Sequence, residues 1–198
     1  MIESDWMIKQ NIFDNTIKKF NSSEGEGVRD KIWYMCKKLL NKYPIEAYIL
    51  LLSTWNFARF RYKMDSFDLD LFEKTLIDLK PCFKKLKKFS IIDIDLDKYK
   101  SDICYIYDNL AKIEGVEYTG STKIMALNND KLFVMWDTAI RKMYNKKLKR
   151  GNKIPKKPTG NDYIKFLKIS QKEFSHLNMK NKPPAKVIDE YNYLIANK

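Results

Sequence analysis

Two charged side chains stand at positions where chemistry is within reach. Lys123 follows a small-residue polar stretch, Thr119-Gly120-Ser121-Thr122, and Asp137 ends the apolar run Leu132–Trp136. Thirteen residues lie between them, so a tight hairpin would bring an amine and a carboxylate back toward each other. Lys123 is expected just inside a helix opened by Gly120, Ser121 and Thr122, whose free N–H groups suit a phosphate. The positive helix end and neighbouring cations favour the free amine, the form a nucleophile requires. Asp137, oriented at a helix start and walled by Trp136, could stabilise a developing cation or activate water. Each residue also has an ordinary reading: aspartate is a preferred N-cap, and most lysines are simply solvated.

The charge distribution gives these residues a setting. The chain of 198 residues carries a formal net charge of +13. Residues 141–198 hold 16 Lys/Arg against 4 Asp/Glu, which leaves 38 − 16 = 22 basic and 25 − 4 = 21 acidic groups in residues 1–140. Nearly all of the positive field therefore comes from one end of the chain, and such a field attracts polyanions. A uniformly lysine-rich chain would show a more even excess. Three scattered cysteines, Cys36, Cys82 and Cys104, form neither a disulfide framework nor a C-x-x-C metal pair, and they suit a reducing cytosol. His176 is the sole histidine, so a zinc site or a Ser-His-Asp triad is not expected, nor is a cofactor. Met1–Gln10 has acids and one lysine, unlike a signal peptide, and the run Ala47–Leu52 is too short to span a bilayer.

The elements that must position these residues read as helices. Asp5 is an expected cap for a first helix with Ile8, Ile12, Phe13, Ile17 and Phe20 at spacings of three and four, and Ser22–Gly27 breaks it. A second stripe runs from Val28 to Leu40; proline opens a third segment over Ile45–Phe60, apolar all round at Tyr48–Leu52. Asn56–Tyr62 then alternates aromatics with arginines. Arg59 and Arg61 could reach phosphates while Trp55, Phe57 or Phe60 stack on a base; equally, this is a helix end with aromatics inward. Asp65 or Ser66 is expected to cap the next helix and Pro81 to stop it. Ile91–Leu96 reads as an extended connection to a helix over Asp97–Lys112, with Gly115 as its C-terminal cap. Leu148–Gly160 is an exposed basic loop, Asn161 or Asp162 caps a further helix, and Pro183-Pro184 starts the last one. The expected architecture is all-α, eight to ten helices in one domain, as a two-lobed bundle with a central cleft and a helix-hairpin-helix-like element over 113–147.

The stretches GSTKIMAL and MWDTAIRK resemble the helix-hairpin-helix superfamily of base-excision DNA glycosylases, in which a glycine-containing hairpin precedes a lysine and an apolar run ends in an aspartate. The resemblance covers about thirty residues and departs from the usual L-P-G-V-G hairpin, since Glu117 follows Gly115-Val116 and Gly120 falls out of register. No four-cysteine iron–sulfur loop is present, which places the resemblance nearer the oxidised-purine glycosylases. It implies excision of a damaged base from duplex DNA, with the nucleotide flipped into a cleft. Asp137 would take the aspartate role and Lys123 the nucleophile of an AP-lyase step. Gly120, Ser121 and Thr122, with Arg141, Lys142, Lys146, Lys153, Lys156, Lys157, Arg59 and Arg61, would contact DNA; Trp55, Phe57 and Trp136 would line the base pocket. It further implies a monomer in the cytoplasm, associated with the nucleoid and not with a membrane. A non-catalytic helical module that binds DNA or RNA is the alternative.

Overall fold

A computed structural model of the chain describes residues 7–23, 27–179 and 182–197. The expected cap Asp5 and the centre of the Ser22–Gly27 break lie outside these residues. Among the described residues there are ten α-helices and no strand, so the chain is all-α. The helices are α1 (Gln10–Ser23), α2 (Val28–Leu39), α3 (Pro44–Trp55), α4 (Phe57–Tyr62), α5 (Leu69–Leu86), α6 (Lys100–Ala111), α7 (Glu117–Asn128), α8 (Thr138–Lys147), α9 (Gly160–Phe174) and α10 (Pro184–Ala196).

The nearly all-apolar α3 lies in the middle, in contact with α2, α4 and α7, and it buries Ala47, Tyr48, Leu51 and Leu52. α6 packs against α5, α7 and α9, and α10 lies against α1 and α8. Gly160 permits the close approach of α9 to α6: a Cβ there would stand 2.6 Å from the Cys104 backbone. An aromatic cluster of Tyr107, Trp136, Tyr163 and Phe166 joins α6, the 132–137 run and α9, with Tyr107 and Tyr163 stacked at 5.2 Å. No described helix is long and apolar enough to cross a membrane.

Several boundaries differ from the sequence expectation, each for a local reason. The expected helix over Ile45–Phe60 is broken at Asn56, because the buried Asn56 side chain turns away to donate to the carbonyls of Gly115 (3.0 Å) and Val116 (3.3 Å). Pro81 does not stop α5. It sits inside the helix, four residues after the exposed Ile77, on a side where a freed carbonyl can meet water. Asp68, rather than Asp65 or Ser66, caps α5 by accepting from the Leu71 N–H at 2.8 Å. Thr159, rather than Asn161 or Asp162, caps α9, and Asp162 completes a reciprocal capping box. The 91–96 stretch, expected as an extended connection, is made largely of turns, which bury Ile91, Ile94 and Leu96.

Candidate active site and nucleic-acid groove

The hairpin that leads into the site forms one turn earlier than its composition suggests. Gly115 takes a left-handed φ of +86° and Glu117 a φ of +49°, and α7 begins there. A non-glycine residue in that region is uncommon and costs about 1–2 kcal/mol. The exposed Arg59 pairs with the Glu117 carboxylate and holds it in place. Gly120, Ser121 and Thr122 therefore lie within α7 and are buried, which removes them as phosphate ligands. Ser121 donates to the Glu117 carbonyl at 2.5 Å, and Thr122 donates to the Thr119 carbonyl at 3.0 Å. A Cβ on Gly120 would press on Asn56 and Leu52 at 3.0 Å, so that glycine serves the α3–α7 contact.

Thr122 also brings the two chemical residues together. Its hydroxyl accepts from the Trp136 N–H at 3.3 Å, and the Trp136 indole donates to the Tyr118 carbonyl at 3.1 Å. These contacts clasp the end of the apolar run to α7, one residue on each side from Asp137 and Lys123. Asp137 caps α8, accepting from the Ile140 N–H at 2.8 Å. Lys123 and Asp137 line one cavity of about 130 Å³, together with Phe20, Trp55, Met135 and Ile140. The Lys123 amine bonds to the Trp55 carbonyl, which the helix break at Asn56 leaves available.

Burial is the main influence on Lys123 and lowers its pKa from 10.5 to about 8. Asp137 and Asp189 oppose this, while Arg29 adds to it. The expected tendency toward the free amine is present, and its main cause is desolvation rather than a helix end.

α10 supplies residues to the same cavity that the sequence expectation omits. Asp189 lines it and is buried apart from 7% of its surface. Burial raises its carboxyl from 3.8 to about 7, with Lys186 as the main counterweight. Lys186 is buried against the rings of Trp55 and Trp33, its amine 4.9 and 5.4 Å from their centroids and 3.5 Å from both Asp30 and Glu190. Burial pulls the Lys186 amine down, but Asp189, Glu190 and Asp30 together hold it above its ordinary value. The Lys186 N–H donates to the Asp130 carbonyl at 3.1 Å, which fixes the start of α10 against the segment after α7. The signal for this group is present in the chain as charges at 186, 189 and 190 inside an otherwise apolar stripe.

The cavity adjoins a groove of about 820 Å³, and Arg29, Trp55 and Asp137 line both. Arg59, Arg141, Lys156 and Lys157 line the groove as well, and Glu117 and Asp137 are the acids there. Arg141 lies 5.7 Å over the Trp136 ring and donates to the Lys156 carbonyl at 3.3 Å, which ties the basic loop to α8. Arg61, Lys142, Lys146 and Lys153 are exposed but line neither space; Arg61 lies 5.7 Å over the Phe57 ring instead. Of the expected base-pocket residues, Trp55 and Trp136 wall the cavity, with Trp136 only 1% exposed. Phe57 does not: it is 55% exposed and lines the groove.

Compared with models of protein families, with curated proteins and with solved structures, the chain matches none.

Proposed function

We propose that this chain is a DNA glycosylase of the helix-hairpin-helix type, with an AP-lyase step carried by Lys123. The observation that carries the reading is one cavity holding a lysine of depressed pKa and a helix-capping aspartate, open to a groove lined with arginines and lysines. The hairpin adds support, since Gly115 and Glu117 take left-handed conformations where the family pattern places its two glycines. The roles follow from chemistry. Duplex DNA lies along the groove, held by Arg29, Arg141, Lys156 and Lys157, and one nucleotide turns into the cavity. The bond between the sugar C1′ and the base breaks; the electron pair leaves with the base, which takes up a proton. Asp137, at the boundary of cavity and groove, stabilises the positive charge that develops on the sugar. The Lys123 amine then bonds to C1′, loses a proton and yields an imine on opening of the sugar ring. Loss of a C2′ proton expels the 3′ phosphate and cuts the strand.

The test uses duplexes carrying uracil, oxidised guanine or alkylated bases. Release of base from at least one of them is expected, abolished in Asp137→Asn with duplex binding retained. Borohydride is expected to trap a protein–DNA adduct in the wild type and none in Lys123→Ala. An adduct that survives Lys123→Ala removes the nucleophile assignment. The second reading, a non-catalytic nucleic-acid-binding module, is favoured by the structural work both residues already do: Lys123 binds the Trp55 carbonyl and Asp137 caps α8. Tight binding in low salt with no release from any lesion would establish it.

A further inference from the structure

α5 carries a face that stays open to solvent. Its core side, Phe72, Leu79 and Leu86, is buried. Asp70, Ile77 and Lys84 stand seven residues apart, so two helical turns bring each back to one stripe. Glu73 and Lys80 stand beside that stripe, four residues before Ile77 and three after it. All five are exposed, Ile77 by 63% of its surface. None of the four charged side chains forms an ion pair or hydrogen bond with any described residue, whereas Lys85 of the same helix is paired with Asp102. Glu73, Ile77, Lys80 and Lys84 also line a groove of about 420 Å³, whose far wall includes Leu40, Pro44 and Ile45 at the α2–α3 corner. Along α5 the face is acidic, then apolar, then basic. The helix dipole accounts for acids first and lysines last, but not for the apolar side chains between and beside them.

We propose that this face docks on the same face of a second copy of the chain, with the two α5 helices antiparallel. The pattern is complementary to itself. With the second helix turned end for end about Ile77, Asp70 faces the partner's Lys84, Glu73 faces the partner's Lys80, and Ile77 meets the partner's Ile77. A two-fold axis makes each charged pair occur twice, as an isologous interface requires. A parallel pairing would set acid against acid and lysine against lysine. A nucleic acid answers only the lysine end and leaves Asp70 and Glu73 facing phosphates. The groove's aromatics, Tyr48 and Phe83, are already edge-on to Phe72 and Phe133. The net charge of +13 on each copy is spread over the molecule and screened beyond about 8 Å at physiological salt, while facing pairs are not. α5 is about 27 Å long, so the interface is at the small end of specific ones and the dimer is reversible. The groove shares no lining residue with the cavity or the basic groove, so this inference stands apart from the glycosylase reading. It departs from the monomer that the resemblance implies.

Sedimentation of the full chain, freed of nucleic acid and held at about 0.15 M salt, tests it. The wild type is expected to pass reversibly from monomer to dimer in the micromolar range. One double variant carries Lys80→Glu and Lys84→Glu; the other carries Asp70→Lys and Glu73→Lys. Each alone is expected to self-associate about 100-fold more weakly, because like charges then face one another across the axis. Mixed in equal amounts, the two are expected to form a heterodimer about as tight as the wild-type dimer, since every facing pair is again of opposite sign. Circular dichroism checks that each variant keeps its helices, and recovery on mixing rules out misfolding as the cause of dissociation. A wild type that stays monomeric at about 300 μM overturns the inference. So does a dimer that survives both double variants, which would use another surface. Variants that dissociate and fail to join when mixed overturn the antiparallel register. A monomeric wild type whose duplex binding is lost in the Lys80→Glu, Lys84→Glu variant would give the face to nucleic acid instead.

Discussion

The pH dependence of adduct formation in Asp137→Asn separates the electrostatic part of the site from its scaffolding. Lys123 has a pKa of about 8 against an ordinary 10.5. At pH 7 such a group is about one-tenth free amine, where an ordinary lysine is about one part in 3,000, a gain of roughly 300-fold in nucleophile. With a pre-formed abasic site as substrate, which bypasses base release, borohydride trapping by the wild type should rise about tenfold per pH unit below pH 8 and level off above it. Asp137 raises the Lys123 pKa, so its neutralisation must shift the midpoint to lower pH. Asparagine is about as good an N-cap as aspartate, so α8 should remain intact and the melting temperature nearly unchanged. Base release, by contrast, should fall about 100- to 1,000-fold, the usual effect of removing one preorganised stabilising group. The variant is therefore expected to trap abasic DNA at lower pH than the wild type while failing to create the abasic site. A midpoint that stays in place or moves to higher pH would refute the proposed coupling between the two groups.

Three further outcomes follow from the same geometry. The folded Lys123 pKa lies below its unfolded value, so the unfolded chain binds the extra proton between about pH 8 and 10.5, and stability rises with pH across that window. Lys123→Met should therefore stabilise the fold near pH 7 by about 3 kcal/mol and bring no gain above about pH 10.5, as read by urea denaturation at both values. Glu117→Gly should relieve the left-handed backbone and free Arg59 from its pair; stability should stay the same or rise by about 1 kcal/mol, and the salt dependence of duplex binding should steepen by about one counterion. Gly160→Ala should cost about 1–3 kcal/mol by forcing α9 off the Cys104 backbone, measured by thermal melting, with the Lys123 titration unchanged because the substitution lies outside the cavity.

The helical plan and the pairing of Lys123 with Asp137 are legible in the chain because both rest on local pattern. Apolar residues at spacings of three and four define the helix faces, and an apolar run that meets Asp137 just before a new helix marks a cap. The start of α7 is not legible, because nothing local signals that a glutamate will adopt a left-handed φ. Glu117 does so, and the helix begins one turn before the small residues that mark its expected start. The break at Asn56 is equally hidden, since its cause is a pair of carbonyls some sixty residues away.

Composition and spacing alone determined an all-helical chain, a positive field concentrated after residue 140, and the proximity of one lysine and one aspartate across a short connection. Only the tertiary structure decided that α10 delivers Asp189 and Lys186 to that same place, that Arg29 lines both it and the adjoining groove, and that Gly120–Thr122 are sealed inside. It also decided the state of Lys123. A side chain's affinity for a proton depends on the water it has lost and the charges around it, and both are set by segments far apart along the chain.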